Sequence, residues 1–263
     1  KHGYNVYASD GASSPATGRC AEERRAQGIS VDLGRHDLGR LGNAGLIVTS
    51  PGVPPSARPL AFAREKEIPV ASEVEIALNF LDGPRIIAIT GTNGKTTTTA
   101  LIAHLPRGID IEAVEAGNIG TPLSEVAARE RQPAWISLEM SSFQLHDTPS
   151  LKPVVGVLTN LSPDHLDRYS AVDEYYADKA RFFANAQGDS VWVVNRDDKA
   201  VTRMVRDVAG QKHGFSLLKK AAASINARTG ARVGLGTPLL ARARLPLLGH
   251  PALTQALADA LAL

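Results

Sequence analysis

The sequence lacks several features that mark common classes of protein. It holds one cysteine, Cys20, in 263 residues, which excludes an intrachain disulfide framework and is typical of a reducing compartment. Lys plus Arg number 29 against 27 for Asp plus Glu, so the chain carries no charge surplus that would attract nucleic acid or an anionic surface. No apolar run approaches the ~20 residues of a membrane-spanning helix. We therefore expect a cytoplasmic protein that neither binds nucleic acid nor crosses a membrane.

The composition is otherwise that of an ordinary globular protein of one or two domains. Hydrophobic residues make up 43% of the chain, with 23 glycines and 16 prolines. The first residues, Lys1 to Tyr4, hold no Met and run directly into an apolar segment, and the Ala- and Leu-rich pattern at Leu263 stops without a helix cap. We expect a segment of a longer polypeptide.

Short apolar runs alternate with helical patterns along the chain. The predicted strands are Val6–Ser9, Leu46–Thr49, Arg85–Thr90, Trp135–Glu139, Val154–Leu158 and Ser190–Asn195. The predicted helices are Thr17–Gln27, Pro59–Lys66, Glu73–Phe80, Lys95–Leu105, Pro122–Arg129, Val172–Ala184 and Lys199–Ala209. This alternation predicts an α/β fold with a mostly parallel, doubly wound sheet. A turn-rich break at Leu81–Pro84 favours domains at 1–82 and 83–263.

The strongest local signal is a glycine loop between a buried strand and a helix. The strand ends at Thr90, the loop is Gly91-Thr92-Asn93-Gly94, and the helix begins near Lys95. In this context backbone N–H groups and the helix N-terminus bind phosphate, Lys95 pairs with the β- and γ-phosphates, and the Thr96 hydroxyl ligates Mg²⁺. Ile89 stands where the general pattern has glycine. The alternative is a glycine-rich turn that binds nothing.

Ionisable residues follow the next predicted strands. Glu139 ends one strand, where a carboxylate can hold Mg²⁺, although it could also be a capping or surface residue. Asp164 and His165 follow another strand, and His165 could ligate a metal or bind a phosphoryl oxygen, with Asp164 as an orienting acceptor. Lys179, judged alone, is a surface lysine whose ammonium cannot bind a metal; carbamylation by CO₂ would supply a carboxylate.

Taken together, the motifs resemble the Mur ligases of peptidoglycan synthesis. The matching blocks are Gly91–Thr97, Ala116–Gly120, Leu138–Leu145, Asn160–Tyr169 and Val194–Asp198. Leu138–Leu145 looks most like the family member that adds D-glutamate. Ser50–Pro54 and Ile68–Glu75 are similar to the N-terminal uridine-nucleotide domain of that member.

The resemblance implies an ATP- and Mg²⁺-dependent amide ligase that joins D-glutamate to UDP-N-acetylmuramoyl-L-alanine through an acyl phosphate, and we expect a monomer. It assigns nucleotide binding to Gly91, Thr92, Asn93, Gly94, Lys95, Thr96 and Thr97. Metal or catalytic roles fall on Lys95, Thr96, Glu139, His165 and a carbamylated Lys179. Substrate contacts fall on Asp10, Ser50, Pro51, Gly52, Asn118, Ser141 and Gln144.

The match also has departures. The first strand and glycine turn of a Rossmann-like N-terminal domain are missing, and the C-terminal amino-acid-binding domain lies beyond Leu263, so we expect little turnover from this chain alone. Pro251 replaces the Asn of a motif near adenine. The alternatives are a sister Mur ligase, folylpolyglutamate synthase, a non-catalytic ATP-binding module and a small-molecule kinase.

Overall fold

The computed structural model describes residues 3–107, 110–164 and 168–218, together with the backbone of three later strands. The chain divides into two compact units. The first comprises 1–47 and 55–70, and the second comprises 48–54 and 71–263. The predicted division at residue 82 stays a prediction.

The first unit begins with two parallel strands joined by a helix. β1 (Tyr7–Asp10) pairs with β2 (Ser30–Leu33), and α1 (Pro15–Ala26) connects them. Ser14 caps α1 by a reciprocal capping box with Thr17, and Pro15 occupies the first helical turn, where its missing N–H costs nothing. The unit also contains α2 (Leu38–Leu41) and α3 (Arg58–Glu65).

Two further short strands, β3 (Ile47–Thr49) and β4 (Val70–Ser72), form a sheet of their own.

The second unit is built on a sheet of nine strands among the described residues. Its strands are β5 (Arg85–Thr90), β6 (Ala113–Gly117), β7 (Trp135–Glu139), β8 (Val155–Leu158), β9 (Val191–Asn195), β10 (Gln211–Ser216), β11 (Ala223–Ile225), β12 (Ala231–Gly234) and β13 (Thr237–Ala241). They lie in the order β6-β7-β5-β8-β9-β10-β11-β12-β13. Neighbours from β6 to β11 are parallel, and the last two pairings are antiparallel.

Helices precede β5 or connect successive strands of this sheet. They are α4 (Glu73–Leu78), α5 (Lys95–Arg107), α6 (Leu123–Ala127), α7 (Ser142–His146), α8 (Val172–Ala180), a 3₁₀ turn (Arg181–Phe183) and α9 (Lys199–Met204). Each helix of the described residues is too short or too polar to cross a lipid bilayer.

Both faces of the sheet are buried, which is the physical meaning of its unbroken apolar strands. Along β5, Ile86 and Ala88 face one core, whereas Ile87 and Ile89 face the other. Successive side chains of a strand point to opposite faces. A strand covered on both sides therefore shows no alternation of apolar and polar residues. The predicted α/β fold with a mostly parallel, doubly wound sheet is confirmed.

The sequence reading of individual elements was right for the apolar strands and incomplete elsewhere. It missed β2, β4, β6 and β10, which are short or polar, and also β11, β12 and β13. It also extended the last helix to Ala209, whereas α9 ends at Met204 and turns follow. Val172–Ala184 is α8 followed by the 3₁₀ turn.

The strand order places one loop at a special position. β5 lies between β7 and β8, and the chain leaves β5 in one direction across the sheet and later returns to its other side. In open α/β sheets ligands bind at the carboxyl ends of strands where the order reverses in this way. The loop 91–94 after β5 occupies that position.

Candidate active site

The glycine loop after β5 is fastened to the residues that follow β8. The Thr159 hydroxyl donates to the carbonyl oxygen of Asn93 at 2.8 Å. The Asn160 side chain contacts the same residue twice, donating from Nδ2 to the carbonyl oxygen at 2.8 Å and accepting at Oδ1 from the N–H at 2.9 Å. Both backbone polar groups of Asn93 are therefore paired with residues that follow β8.

Gly91 shows why this loop needs glycine. Its φ is +143°, and a Cβ placed there would collide with the Thr159 hydroxyl and approach the backbone of Asn160. A side chain would separate the loop from the residues that hold it.

Thr92 makes a second attachment in the same direction. Its hydroxyl donates to the carbonyl oxygen of Ser162 and accepts from the Ser162 N–H, each at 3.0 Å. It also lies 3.1 Å from the Tyr175 hydroxyl. Burial raises the pKa of Tyr175 to about 12, so this phenol stays protonated at neutral pH.

The four threonines that follow Lys95 divide into two pairs. Thr98 and Thr99 are buried, and their hydroxyls donate to the carbonyl oxygens of Gly94 and Lys95 at 2.9 Å. Thr96 and Thr97 are exposed in the first turn of α5. Only the second pair can present hydroxyls to a ligand at the mouth of the loop.

Lys95 lies over the loop, with Nζ 2.8 Å from the carbonyl oxygen of Thr92. Burial lowers the pKa of its ammonium, whereas the carboxylates of Glu139 and Asp164 act to raise it. Both carboxylates are thus close enough to influence the charge beside the loop.

Glu139 is a buried carboxylate with one oxygen left without a partner. It ends β7, is 1% exposed, and accepts a hydrogen bond at Oε1 from Nδ2 of Asn118 at 2.9 Å. Its other oxygen, Oε2, is buried with no hydrogen-bond partner. Leaving a buried charged oxygen unpaired is costly unless a cation or donor meets it. An anionic oxygen is the ligand type that Mg²⁺ prefers, so Glu139 fits the predicted metal.

Asn118 is held against Glu139 by the backbone. Its N–H donates to the carbonyl oxygen of Glu139 at 3.0 Å. Gly117 precedes it with φ +103°, and a Cβ there would collide with the same carbonyl. The glycine permits the close approach of β6 and β7 that brings the Asn118 amide to the carboxylate.

Lys179 is buried, which corrects the reading of it as a surface lysine. It lies in α8 and is 1% exposed, and its Nζ donates to the Thr90 hydroxyl at 3.0 Å and to the carbonyl oxygen of Gly91 at 2.9 Å. Burial, with the nearby charge of Lys95, lowers the pKa of Lys179 to about 7, although Glu139, Asp164 and Asp178 oppose the shift. A large fraction of the amine is therefore neutral near pH 7, and a neutral amine is the form that reacts with CO₂.

Ser141 and Gln144 form a capping box at the start of α7. The Gln144 N–H donates to the Ser141 hydroxyl at 3.2 Å, and Oε1 of Gln144 accepts from the Ser141 N–H at 3.0 Å. These bonds fix the orientation of the amide, and its Nε2 is buried without a partner. The motif thus caps a helix and keeps one buried donor for an acceptor.

The residues predicted for the uridine nucleotide lie in two different units. Ser50, Pro51 and Gly52 are exposed in the second unit, where Arg168 donates to the carbonyl oxygen of Gly52 at 2.9 Å. Asp10 is exposed in the first unit and accepts from the N–H of Ala12 at 2.8 Å. Their predicted role stays a prediction.

Two other predictions lie outside the described residues, namely those for His165 and for Pro251 near adenine. Within the described part of the chain, no group of three or more His, Cys, Asp or Glu is arranged to hold a metal ion. Among the predicted metal ligands, Glu139 has a buried carboxylate oxygen without a hydrogen-bond partner, and this favours a bound cation.

Comparison with known proteins gives this arrangement a family. The Mur ligase middle domain matches residues 89–258, a range that begins in β5 and contains the glycine loop, Glu139 and Lys179. The chain belongs to the Mur ligase family.

Two curated relatives of this Mur ligase chain carry the same description, UDP-N-acetylmuramoylalanine–D-glutamate ligase. The protein of Desulfatibacillum aliphaticivorans is 41% identical over 229 residues, which cover 87% of this chain and 51% of the relative. That of Syntrophotalea carbinolica is 44% identical over 189 residues, covering 72% and 42%. The chain therefore spans about half the length of the curated relatives it matches.

Solved structures bear out the Mur ligase fold. A UDP-N-acetylmuramate:L-alanyl-gamma-D-glutamyl-meso-diaminopimelate ligase from Neisseria meningitides aligns with a TM-score of 0.65 at 17% identity, covering 99% of this chain and 85% of that one. At this identity the likeness concerns the fold alone.

The sequence reading of this Mur ligase assigned no separate role to Thr159, Asn160 and Tyr175, which hold the loop in place. Thr159 and Asn160 directly follow β8, so their position next to a parallel strand end was the available signal. Their partner on the loop could not be named without the strand order.

Proposed function

We propose that this chain is the nucleotide-binding part of a Mur ligase that adds D-glutamate to UDP-N-acetylmuramoyl-L-alanine, using ATP and Mg²⁺. The observation that carries the proposal is the meeting of three ionisable side chains at one loop. Lys95 lies on the loop, Lys179 lies under it, and Glu139 presents a buried oxygen without a partner. The names of the curated relatives support the choice of D-glutamate.

In the proposed reaction the substrate carboxylate attacks the terminal phosphorus of ATP. An acyl phosphate forms and ADP leaves. The amine of D-glutamate then attacks the acyl carbon, loses a proton, and inorganic phosphate departs as the amide forms. Charge accumulates on phosphoryl oxygens in the first step, and fixed positive groups are the effective way to stabilise it.

The described residues would divide this work by position. The N–H groups at the start of α5 and the Lys95 ammonium would bind the phosphates, because the N-terminus of a helix favours anions. The N–H groups of Thr92 and Asn93 already donate to Asn160. Thr96 and Glu139 would hold Mg²⁺, which supplies charge neutralisation of the phosphoryl oxygens. Lys179, as a carbamate, would add a second anionic ligand from beneath the loop, and His165 would complete the set.

The muramoyl substrate would contact the other face of Glu139. Asn118 is already hydrogen-bonded to that carboxylate, and Gln144 keeps a buried donor. An oxygen-rich sugar diphosphate offers the acceptor that Nε2 of Gln144 lacks. Ser141 and the turn at 50–52 would extend the contact toward the uridine nucleotide. Asp10 remains a predicted contact of that nucleotide.

The deciding experiment measures ADP release by the full-length protein with UDP-N-acetylmuramoyl-L-alanine, with and without D-glutamate. We expect release that requires D-glutamate and Mg²⁺. Parallel reactions with L-alanine, meso-diaminopimelate and a folate substrate separate the sister ligases and folylpolyglutamate synthase. ADP release that depends on another amino acid and not on D-glutamate would contradict the assignment.

The same assay separates the remaining alternatives. A phosphorylated acceptor that survives without an amine would identify a small-molecule kinase, and ATP binding without turnover under any condition would identify a non-catalytic module. The cytoplasmic location and the monomeric state remain predictions. Size-exclusion chromatography with light scattering tests the monomer.

A further inference from the structure

Two side chains that follow β9 hold the backbone of the segment after β8. Nδ2 of Asn195 donates to the carbonyl oxygen of Thr159 at 3.0 Å, and this contact is buried. Oδ2 of Asp198 accepts from the N–H of Leu161 at 2.7 Å. The segment 159–162 has no strand or helix of its own, so side chains such as these determine where its backbone lies.

Asp198 divides its two oxygens between different tasks. Oδ1 accepts from the N–H groups of Ala200 and Val201, at 2.8 and 3.1 Å, and so caps α9. Oδ2 serves Leu161 alone among the contacts described here. A residue needed only to cap a helix would not require the second oxygen, because serine caps equally well.

The neighbouring Asp197 provides a natural contrast. Its carboxylate accepts from the Ser216 hydroxyl at 2.5 Å and from the N–H of Leu217 at 2.7 Å. These partners lie at the end of β10, on the other side of β9 from β8. Adjacent carboxylates thus bind backbone groups on opposite sides of β9, and of the two only Asp198 binds the segment 159–162.

The opposite side of segment 159–162 carries the glycine loop. Thr159 and Asn160 bind Asn93, and Ser162 binds Thr92 through both backbone groups. The segment is therefore a bridge between the two side chains after β9 and the loop after β5. A displacement of its backbone moves the groups that hold Asn93 and Thr92.

We propose that Asn195 and Asp198 are positioning residues for the nucleotide. They set the place of segment 159–162, which in turn holds the loop 91–94 in its phosphate-binding conformation, without touching the nucleotide themselves. The inference rests on the proposed nucleotide-binding function and adds to it two residues that neither the loop motif nor the metal ligands include.

The test compares matched substitutions in the full-length protein, with the affinity for ATP and Mg²⁺ measured by calorimetry and the melting temperature without ligand. Asp198→Ser keeps the cap of α9 and removes the oxygen that binds Leu161. Asp198→Asn replaces one oxygen by a donor, and Asp197→Asn makes the same chemical change on the β10 side. Asn195→Ala removes the bond to Thr159 and the one that Oδ1 accepts from the Asp197 N–H, and it leaves the side-chain cap of α9 in place.

We expect ATP to bind about tenfold more weakly to Asp198→Ser, Asp198→Asn and Asn195→Ala, since bonds to charged or buried groups have effects of this order. Asp197→Asn should change the affinity for ATP by less than about twofold, even if its melting temperature falls by as much as that of the Asp198 and Asn195 variants. If Asn195 and Asp198 only stabilised the fold, any variant with the same loss of melting temperature, Asp197→Asn included, would show the same loss of affinity for ATP.

Unchanged ATP affinity in the folded Asp198 and Asn195 variants would overturn the inference. An equal loss of affinity in Asp197→Asn would do so as well. If the unsubstituted protein does not bind ATP, the proposed function fails instead, so the two failures are distinguishable.

Discussion

Nζ of Lys179 lies 3.0 Å from the Thr90 hydroxyl, so a lysine of α8 is joined to the last residue of β5. The contact is buried and lies directly beneath the glycine loop. The pKa of this amine is lowered because burial leaves its charge without solvent. Carbamylation would replace the ammonium by an anionic group.

Lys179→Ala should reduce turnover by the full-length protein on the order of 100-fold or more, because it removes a charged group at the phosphoryl site. Added acetate or propionate should restore part of the rate if a carbamate is the working form, since a short carboxylate can enter the space left by the side chain. ADP release measured against carboxylate concentration checks both parts.

Lys152→Ala is the control for the Lys179 substitution. Lys152 donates from Nζ to Gln187 on the surface, and its loss should leave the rate within about twofold. Full activity of Lys179→Ala without any carboxylate would reject the role of the carbamate.

Glu139→Gln should weaken the binding of the Mg²⁺ that turnover requires. The substitution conserves size and an oxygen for Asn118, but it removes the negative charge and replaces one carboxylate oxygen by a donor. We expect the Mg²⁺ concentration for half-maximal rate to rise about tenfold or more, as for loss of one oxygen ligand. Titration of the rate with Mg²⁺ at saturating ATP measures this.

Glu125→Gln makes the same chemical change at an exposed position of α6. It should leave the Mg²⁺ titration unaltered. An unaltered titration for Glu139→Gln as well would mean that this carboxylate does not hold the metal.

Gly91→Ala should weaken ATP binding and lower the melting temperature. The new methyl group would collide with the Thr159 hydroxyl, and the backbone there has a φ of +143° that alanine rarely adopts. We expect a loss of about 1–3 kcal/mol in the free energy of unfolding, as is usual for strain of this kind. Chemical denaturation and an ATP titration together report the two effects.

Gly188→Ala adds the same methyl group where no atom lies within 4 Å. It should change neither measurement appreciably. If Gly91→Ala behaves like Gly188→Ala, the loop tolerates a side chain and its close attachment to Thr159 is not needed.

Gln144→Glu should raise the KM for the UDP-linked substrate and change kcat less. The carboxylate keeps an acceptor for the Ser141 N–H, so α7 stays capped, but the buried donor Nε2 becomes an oxygen. The Nε2 group of Gln144 would donate to a diphosphate or sugar oxygen, whereas a carboxylate oxygen in its place would repel that oxygen. We expect KM to rise about tenfold.

Initial rates measured against substrate concentration check the Gln144 prediction, with circular dichroism to confirm that the helix content is kept. A KM that does not move while the protein stays folded would place the substrate elsewhere.

Much of the fold could be predicted because its strands are covered on both faces. β5 and β7 are continuous apolar runs, and their predicted bounds agree with the structure. β6 and β10 contain Glu115, Lys212 and His213, and such segments become strands only because a parallel neighbour offers its backbone groups. Propensity alone does not identify strands of this kind.

The sequence by itself determined the glycine loop between a buried strand and a helix, because strand, glycines, Lys95 and helix are consecutive along the chain. It also placed Glu139 at a strand end beside that loop. Only the tertiary structure decided that Lys179 is buried under Thr90, that Thr159 and Asn160 hold Asn93, and that Asp198 faces Leu161 while Asp197 faces Leu217. These contacts join residues far apart in the chain, and the order of strands across the sheet, which no local pattern encodes, brings them together.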